Sequence, residues 1–135
     1  MIVADTNVIA YLFLPGDATP DARRALRRDP EWAAPVLWRS ELRNVLAMAL
    51  RGGGMALADA YEVMELAGGL FSGREYQVDS PLVLRLAAAS ACSAYDCEFV
   101  ALAQDLGVPL VTGDRRLRAR FARTAVSLRD FAGGR

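Results

Sequence analysis

Five short apolar runs punctuate the chain, separated by longer stretches of helical period. Ile2-Val3-Ala4, Trp32-Ala33-Ala34, Tyr76-Gln77-Val78, Pro109-Leu110-Val111-Thr112 and Ala125-Val126-Ser127-Leu128 read as strands. Val8, Ile9, Tyr11 and Leu12 open a first helix, for which Thr6 and Asn7 are candidate caps. Thr19-Pro20-Asp21 reads as the start of a second helix ending near Arg28, with Arg23, Arg24, Arg27 and Arg28 on its outer side. A long helix over 36–51 carries a stripe of Leu42, Val45, Leu46, Ala49 and Leu50. Gly52-Gly53-Gly54 then leads into a helix over 57–67, which Gly68-Gly69 should stop, giving an antiparallel hairpin that bears Met48, Met55 and Met64. Ser80-Pro81 and Ser93-Ala94-Tyr95-Asp96 begin two more helices, the second with a stripe of Phe99, Val100, Leu102, Ala103 and Leu106 closed by Gly107. A short Arg-rich helix follows Asp114, and a brief helical tail follows the last strand. Short apolar strands alternating with helices predict an α/β fold, with a parallel sheet covered on both faces.

At 135 residues a single domain spanning 1–135 is expected. Such a chain buries enough surface to fold without a disulfide or a structural metal. Formal net charge is zero, so no global field draws it onto a polyanion, and any such site must be a local patch. All sixteen basic residues are Arg, with neither Lys nor His. Imidazole and amine chemistry are therefore excluded, and carboxylates, hydroxyls, Arg and two Cys remain. Cys92 and Cys97 are not spaced C-x-x-C and lie in an Ala-rich apolar segment, which predicts buried free thiols. No apolar run approaches a membrane span, and the chain opens on a strand rather than a charged and then apolar leader. A soluble cytoplasmic protein with no membrane partner is expected.

Four acids stand out by position. Asp5 follows the first strand, Asp114 follows the fourth, Asp96 lies in the first turn of its helix, and Glu41 flanks the apolar stripe of the long helix. Strand ends and the helix starts after them share one edge of a parallel sheet, so these carboxylates can gather there. Each also admits a plain structural role. Asp5 and Asp114 suit helix caps, Ser93-x-x-Asp96 suits a variant capping box, and Glu41 suits a solvated partner of Arg39 or Arg43. Four such acids at one edge repel unless a cation sits among them, and oxygen ligands without His or Cys suit Mg²⁺ or Mn²⁺ rather than Zn²⁺. Arg115, Arg116 and Arg118, directly after Asp114, are candidate contacts for phosphates.

Four blocks carry a family resemblance: Val3-Ala4-Asp5-Thr6-Asn7, Ser40-Glu41-Leu42-Arg43-Asn44-Val45-Leu46, the run from Ser93 to Ala103, and Pro109-Leu110-Val111-Thr112-Gly113-Asp114-Arg115-Arg116-Leu117. Together, in this order and over essentially the whole chain, they resemble a PIN-domain ribonuclease of the VapC toxin type. The resemblance implies a three-layer α/β/α sandwich around a short-stranded parallel sheet. It implies a metal-dependent endoribonuclease with Asp5, Glu41, Asp96 and Asp114 as the acidic quartet around Mg²⁺ or Mn²⁺, and Thr6 and Thr112 in support. Asp5 and Asp96 would be the principal ligands, Asp114 would complete the set, and Glu41 would position or deprotonate the water. It implies an RNA substrate, a cognate antitoxin that holds the toxin inactive, and a homodimer. The Met-bearing hairpin is the expected groove for an antitoxin segment. Glu98, two residues past Asp96, is expected to face away from the quartet.

Two rivals differ in class. An aspartyl-phosphate phosphatase or receiver also places Asp after a strand, but both use a Lys this chain lacks, and the phosphatase wants a second Asp where Asn7 stands. A catalytically silent PIN-like binding module would not need all four acids. A PIN nuclease outside a toxin–antitoxin pair is the nearer alternative.

Overall fold

The computed structural model describes residues 1–133. Among these residues strands and helices run in the order β1 (Ile2–Ala4), α1 (Thr6–Phe13), α2 (Thr19–Arg28), β2 (Trp32–Pro35), α3 (Trp38–Arg51), α4 (Leu57–Leu70), β3 (Glu75–Tyr76), α5 (Ser80–Ser90), α6 (Ala94–Leu106), β4 (Leu110–Thr112), α7 (Arg115–Arg120), β5 (Ala125–Ser127) and α8 (Leu128–Phe131). The strands form one parallel sheet ordered β3-β2-β1-β4-β5. Helices flank it, giving the α/β sandwich that the alternating pattern predicts. Parallel strands are covered on both faces, so their residues are apolar without alternation. Ile2, Val3, Ala4, Trp32, Ala33, Ala34, Leu110 and Val111 are all buried.

The strand order places the site. From the central β1 the chain moves outward through β2 to β3, then returns to the other side for β4 and β5. The order reverses between β1 and β4, and crevices in open α/β sheets lie at the carboxyl ends of strands at such a reversal. Val3 pairs with Leu110 and Ala4 with Val111, and the Asp5 amide donates to the Val111 carbonyl at 3.0 Å. Asp5 and Thr112 are thus delivered side by side to that edge.

α6 packs across β1, β2 and β4 and against α5. Cys97 and every residue from Phe99 to Ala103 are buried, which accounts for a helix apolar on nearly all sides. Cys92 and Cys97 are buried and unpaired, as expected. No single helix among the described residues is long and apolar enough to cross a membrane.

Three local expectations change. Of the cap candidates read from the sequence, Asp5 and not Thr6 or Asn7 is the N-cap of α1, because its Oδ1 accepts the Thr6 amide at 2.8 Å. α4 does not stop at Gly68-Gly69 but runs through both to Leu70. Each glycine costs about 1 kcal/mol in a helix. Fully burying Phe71, whose ring sits 5.0 Å from Trp38, offsets that by about 2–3 kcal/mol. Arg74 Nη2 also caps the Leu70 carbonyl at 3.0 Å. β3 is Glu75–Tyr76, not Tyr76-Gln77-Val78. The Glu75 carboxylate is clamped by Arg39 Nε and Nη2, both at 2.7 Å, and by Trp38 Nε1 at 2.8 Å, which sets the register against β2.

Candidate active site

A cleft of about 490 Å³ opens at the carboxyl edge between β1 and β4. Asp5, Glu41, Asp96 and Asp114 all line it, together with Thr6, Asn7, Leu37, Ser40, Asn44, Val45 and Tyr95. The four acids come from four separate elements: the end of β1, the first turn of α3, the first turn of α6 and the residue before α7. The topology therefore gathers what the sequence spreads over more than a hundred positions. Among the described residues, no Arg side chain lines the cleft.

Asp5 is the most enclosed of the four, at 7% exposure. Its Oδ2 accepts the Thr112 hydroxyl at 2.7 Å and Asn7 Nδ2 at 3.3 Å. Thr112 Oγ1 accepts in turn from the Asp114 amide at 3.0 Å, so one hydroxyl links both strand-end acids. Burial pushes the Asp5 carboxyl up to about 6 from an ordinary 3.8. The Thr112 and Thr6 hydrogen bonds pull it down, while the charges of Asp96 and Glu41 add to the rise. Thr112 is itself fully buried and Thr6 nearly so.

Glu41 is fixed by Thr6, whose hydroxyl donates to Oε1 at 2.7 Å. Its carboxyl is raised by burial and by Asp96, against the pull of that hydrogen bond. Asp96 is raised by burial and then by Asp114, with Ser93 and Arg116 opposing. The Ser93 hydroxyl caps α6 by accepting the Asp96 amide at 3.0 Å. Asp114 caps α7, its Oδ1 accepting the Arg116 and Leu117 amides at 2.9 and 3.1 Å. Among the described residues, no group of three or more acid or thiol side chains stands close enough to hold a metal ion as arranged.

Residues outside the expected quartet complete the framework. Asn7 Oδ1 accepts the Gly113 amide at 3.0 Å, tying the start of α1 to the β4–α7 turn. A side chain at Gly113 would bring a Cβ to 2.8 Å from the Tyr11 hydroxyl, so the Tyr11 ring would have to move aside. Ser40, Asn44 and Tyr95 also line the cleft; of these only Asn44, three residues past Glu41 on α3, lies at a spacing that places it on the same helix face. Glu98 does not line the cleft, as its offset predicts, yet its carboxyl is raised by burial and by the charge of Glu41. Its charge still couples to the site, since charges interact well beyond contact in a partly buried setting. Arg115 and Arg116 are exposed, and Arg116 is near enough to Asp96 to oppose its rise. Arg118 is half-buried, with Nε lacking a hydrogen-bond partner, and is the least available of the three.

Comparison with known proteins places this geometry. The PIN domain family model matches residues 2–125. Ribonuclease VapC3 of Pyrobaculum aerophilum is 28% identical over 123 residues, covering 89% of this chain and 94% of that protein. Among solved structures, PAE2754 from Pyrobaculum aerophilum superposes with a TM-score of 0.76 at 21% identity, covering 98% of this chain and 93% of that one. A chain of a toxin-antitoxin complex from Klebsiella pneumoniae gives 0.68 at 18% identity, covering 95% and 98%.

The raised carboxyl of Asp5 has a signed consequence for stability. The folded chain holds this proton to about pH 6, whereas the unfolded chain releases it near 3.8. The folded state therefore binds more protons in that window, and the stabilisation, full below about pH 4, is lost as pH rises through 6. A shift of about two units corresponds to at most about 3 kcal/mol. Glu75, held low by Arg39, works in the opposite sense. The informative quantity is thus the difference between the parent and Asp5→Asn in urea unfolding without divalent cations. That difference should favour the variant increasingly between pH 4 and 7; a difference independent of pH would contradict the assignment.

Proposed function

The chain belongs to the PIN domain family, and from that premise we propose that it is a ribonuclease toxin, an endoribonuclease that hydrolyses RNA phosphodiester bonds and is restrained by a cognate antitoxin. The observation that carries this reading is the convergence of four carboxylates from four elements in one cleft. The similarity to Ribonuclease VapC3 over most of both chains supports RNA as the substrate.

The site fits a hard divalent cation. Its donors are all oxygens, and burial and mutual repulsion push Asp5, Glu41 and Asp96 up, the expected state of carboxylates facing one another without a counter-charge. We assign Asp5, Asp96 and Asp114 as the residues that would hold Mg²⁺ or Mn²⁺ after side-chain adjustment. When bound, such an ion supplies Lewis acidity toward the phosphate and acidifies a coordinated water. The chain's own groups do the rest. Thr112 fixes the Asp5 oxygens at the strand end. Thr6 occupies Glu41 Oε1, which leaves Oε2 to orient a water and accept its proton, and burial makes that carboxylate a better base. The attacking water oxygen bonds to phosphorus as the P–O3′ bond breaks, giving a 5′-phosphate and a 3′-hydroxyl. Arg115 and Arg116 would take neighbouring phosphates at the rim.

A groove of about 410 Å³ between α3 and α4, lined by Leu46, Leu50, Leu57, Tyr61 and Met64 with Arg39 and Arg43, supports the Met-bearing hairpin as the seat of an antitoxin segment. An antitoxin Arg could then reach in among the carboxylates. Exposed Met48, Leu57, Tyr61 and Leu66 on the same pair of helices support a homodimer as well.

Three measurements follow. Asp5→Asn and Asp96→Asn should each lower Mg²⁺- or Mn²⁺-dependent cleavage of total RNA at least about a hundredfold, the scale of losing an electrostatic catalytic group. Far-UV circular dichroism should be unchanged and EDTA should stop the parent; a variant cutting at the parent rate sinks the assignment. Replacing Arg115 and Arg116 by Gln should flatten the slope of log affinity against log salt by about 0.7 per arginine on single-stranded RNA. An unaltered slope removes them from the RNA path. Co-expression with the adjacent open reading frame should yield a copurifying complex with suppressed nuclease activity, and a free, active chain would remove the toxin role while leaving the nuclease.

A further inference from the structure

Arg115, Arg116, Arg118, Arg120 and Arg123 follow Asp114 in close succession, and no acid interrupts them. Topology sets their course. β4 ends at the carboxyl edge beside the acidic cleft. β5 runs parallel to it and starts at the opposite edge, where the Leu110 amide donates to the Thr124 carbonyl at 2.9 Å. The chain from Asp114 to Thr124 must therefore cross from one edge to the other. At the far edge two adjoining clefts of about 340 and 350 Å³ share Gln104, Arg123 and Thr124, and Arg120 lines the second. Among the described residues, no carboxylate lines either.

The Arg residues of α2 are engaged within the fold: Arg24 pairs with Asp21, and Arg28 donates to the Phe131 carbonyl and lies over its ring. Those of 115–123 form no ion pair among the described residues. Arg116 and Arg120 are both exposed and one helical turn apart, a spacing at which like charges repel. Arg118 Nε is also the buried side-chain polar atom that has no partner among the described residues. The segment is thus short of acceptors, not of donors. Formal net charge is zero, so affinity for a polyanion must come from a local patch, and this acid-free one begins at the rim of the acidic cleft.

We propose that the segment from Arg115 to Arg123 is a phosphate track, which leads the RNA flanking the cut from the acidic cleft to the opposite edge of the sheet, with Arg120 and Arg123 as its far anchor. This rests on the ribonuclease reading and adds a second binding surface for the same substrate. Guanidinium groups meet phosphate oxygens as paired donors, and Gln104 and Thr124 add neutral hydrogen-bonding groups at the far end. The three-residue strands set the crossing at about 10 Å, so only a few nucleotides beyond the cut are needed to reach the anchor.

The test uses two oligoribonucleotides centred on a mapped cleavage site, one of about 4 and one of about 16 nucleotides, the range that single-strand sites span. The longer should have the lower KM with the parent. Arg120→Gln with Arg123→Gln should raise that KM about 10- to 25-fold at 0.1 M salt, with kcat changed less than about threefold and the short substrate unaffected. On an Asp5→Asn background, where binding is read without cutting, the same pair should lower the slope of log affinity against log salt by about 1.4, twice 0.7. Lys at both positions should keep most of the slope. Arg23→Gln with Arg27→Gln, which removes equal charge from α2, should keep all of it. An unaltered slope for the Arg120 and Arg123 pair returns the segment to a solvated helix face, and an equal loss for the α2 pair assigns the effect to net charge; either overturns the proposal. Failure of the parent to cut any RNA removes the ribonuclease reading, and the slopes still decide the track.

Discussion

Everything at this site depends on holding a carboxylate at the buried end of a central strand. Asp5 is almost fully enclosed, with its oxygens divided between the Thr6 amide, the Thr112 hydroxyl and Asn7. Enclosing a charge in a protein is unfavourable unless it is hydrogen-bonded or paired. Here the hydrogen bonds compensate only in part, since the carboxyl still stands near 6. The remaining mismatch is electrostatic, and it is shared with Glu41 and Asp96. The parallel pairing of β1 with β4 is what fixes Thr112 beside Asp5, so sheet register and site chemistry are the same constraint.

Capping a helix and lining the cleft coexist in these acids. Asp5 caps α1 and Asp114 caps α7, as their positions before helices require. Each cap bond commits Oδ1, and neither removes the carboxylate from the cleft. Capping fixes a side chain by bonds to rigid backbone, which is also what a metal ligand needs from its surroundings. Thr112 shows the same economy, because one hydroxyl donates to Asp5 and accepts from the Asp114 amide. Helix starts at a sheet edge thus supply both the acids and the means of orienting them.

The cleft is two-sided in character. The acids line a region suited to a hard cation, while Tyr95, Leu37 and Val45 line a region suited to a planar apolar surface. The α3–α4 groove is a separate surface, sharing no lining residue with the acidic cleft. The two surfaces use different residues of α3.

The sequence alone determined the class of this protein, because its signals are local. Short apolar runs between helical stretches specify a parallel sheet, and Asp directly after a strand or before a helix places acids at its carboxyl edge. The absence of Lys and His left carboxylates, hydroxyls, Arg and two Cys to carry any chemistry, and the four motif blocks pointed to the quartet. Where tertiary contacts outweighed local preference, the reading strayed. Gly68-Gly69 remained helical because Phe71 buries against Trp38, and β3 shifted because Arg39 and Trp38 seize Glu75. Only the fold could decide that Thr112 touches Asp5, that Thr6 serves Glu41 instead of capping α1, and that Asn7 anchors Gly113. These partners lie 35 to 107 positions apart, and nothing in a local pattern records a contact made by strand order and register.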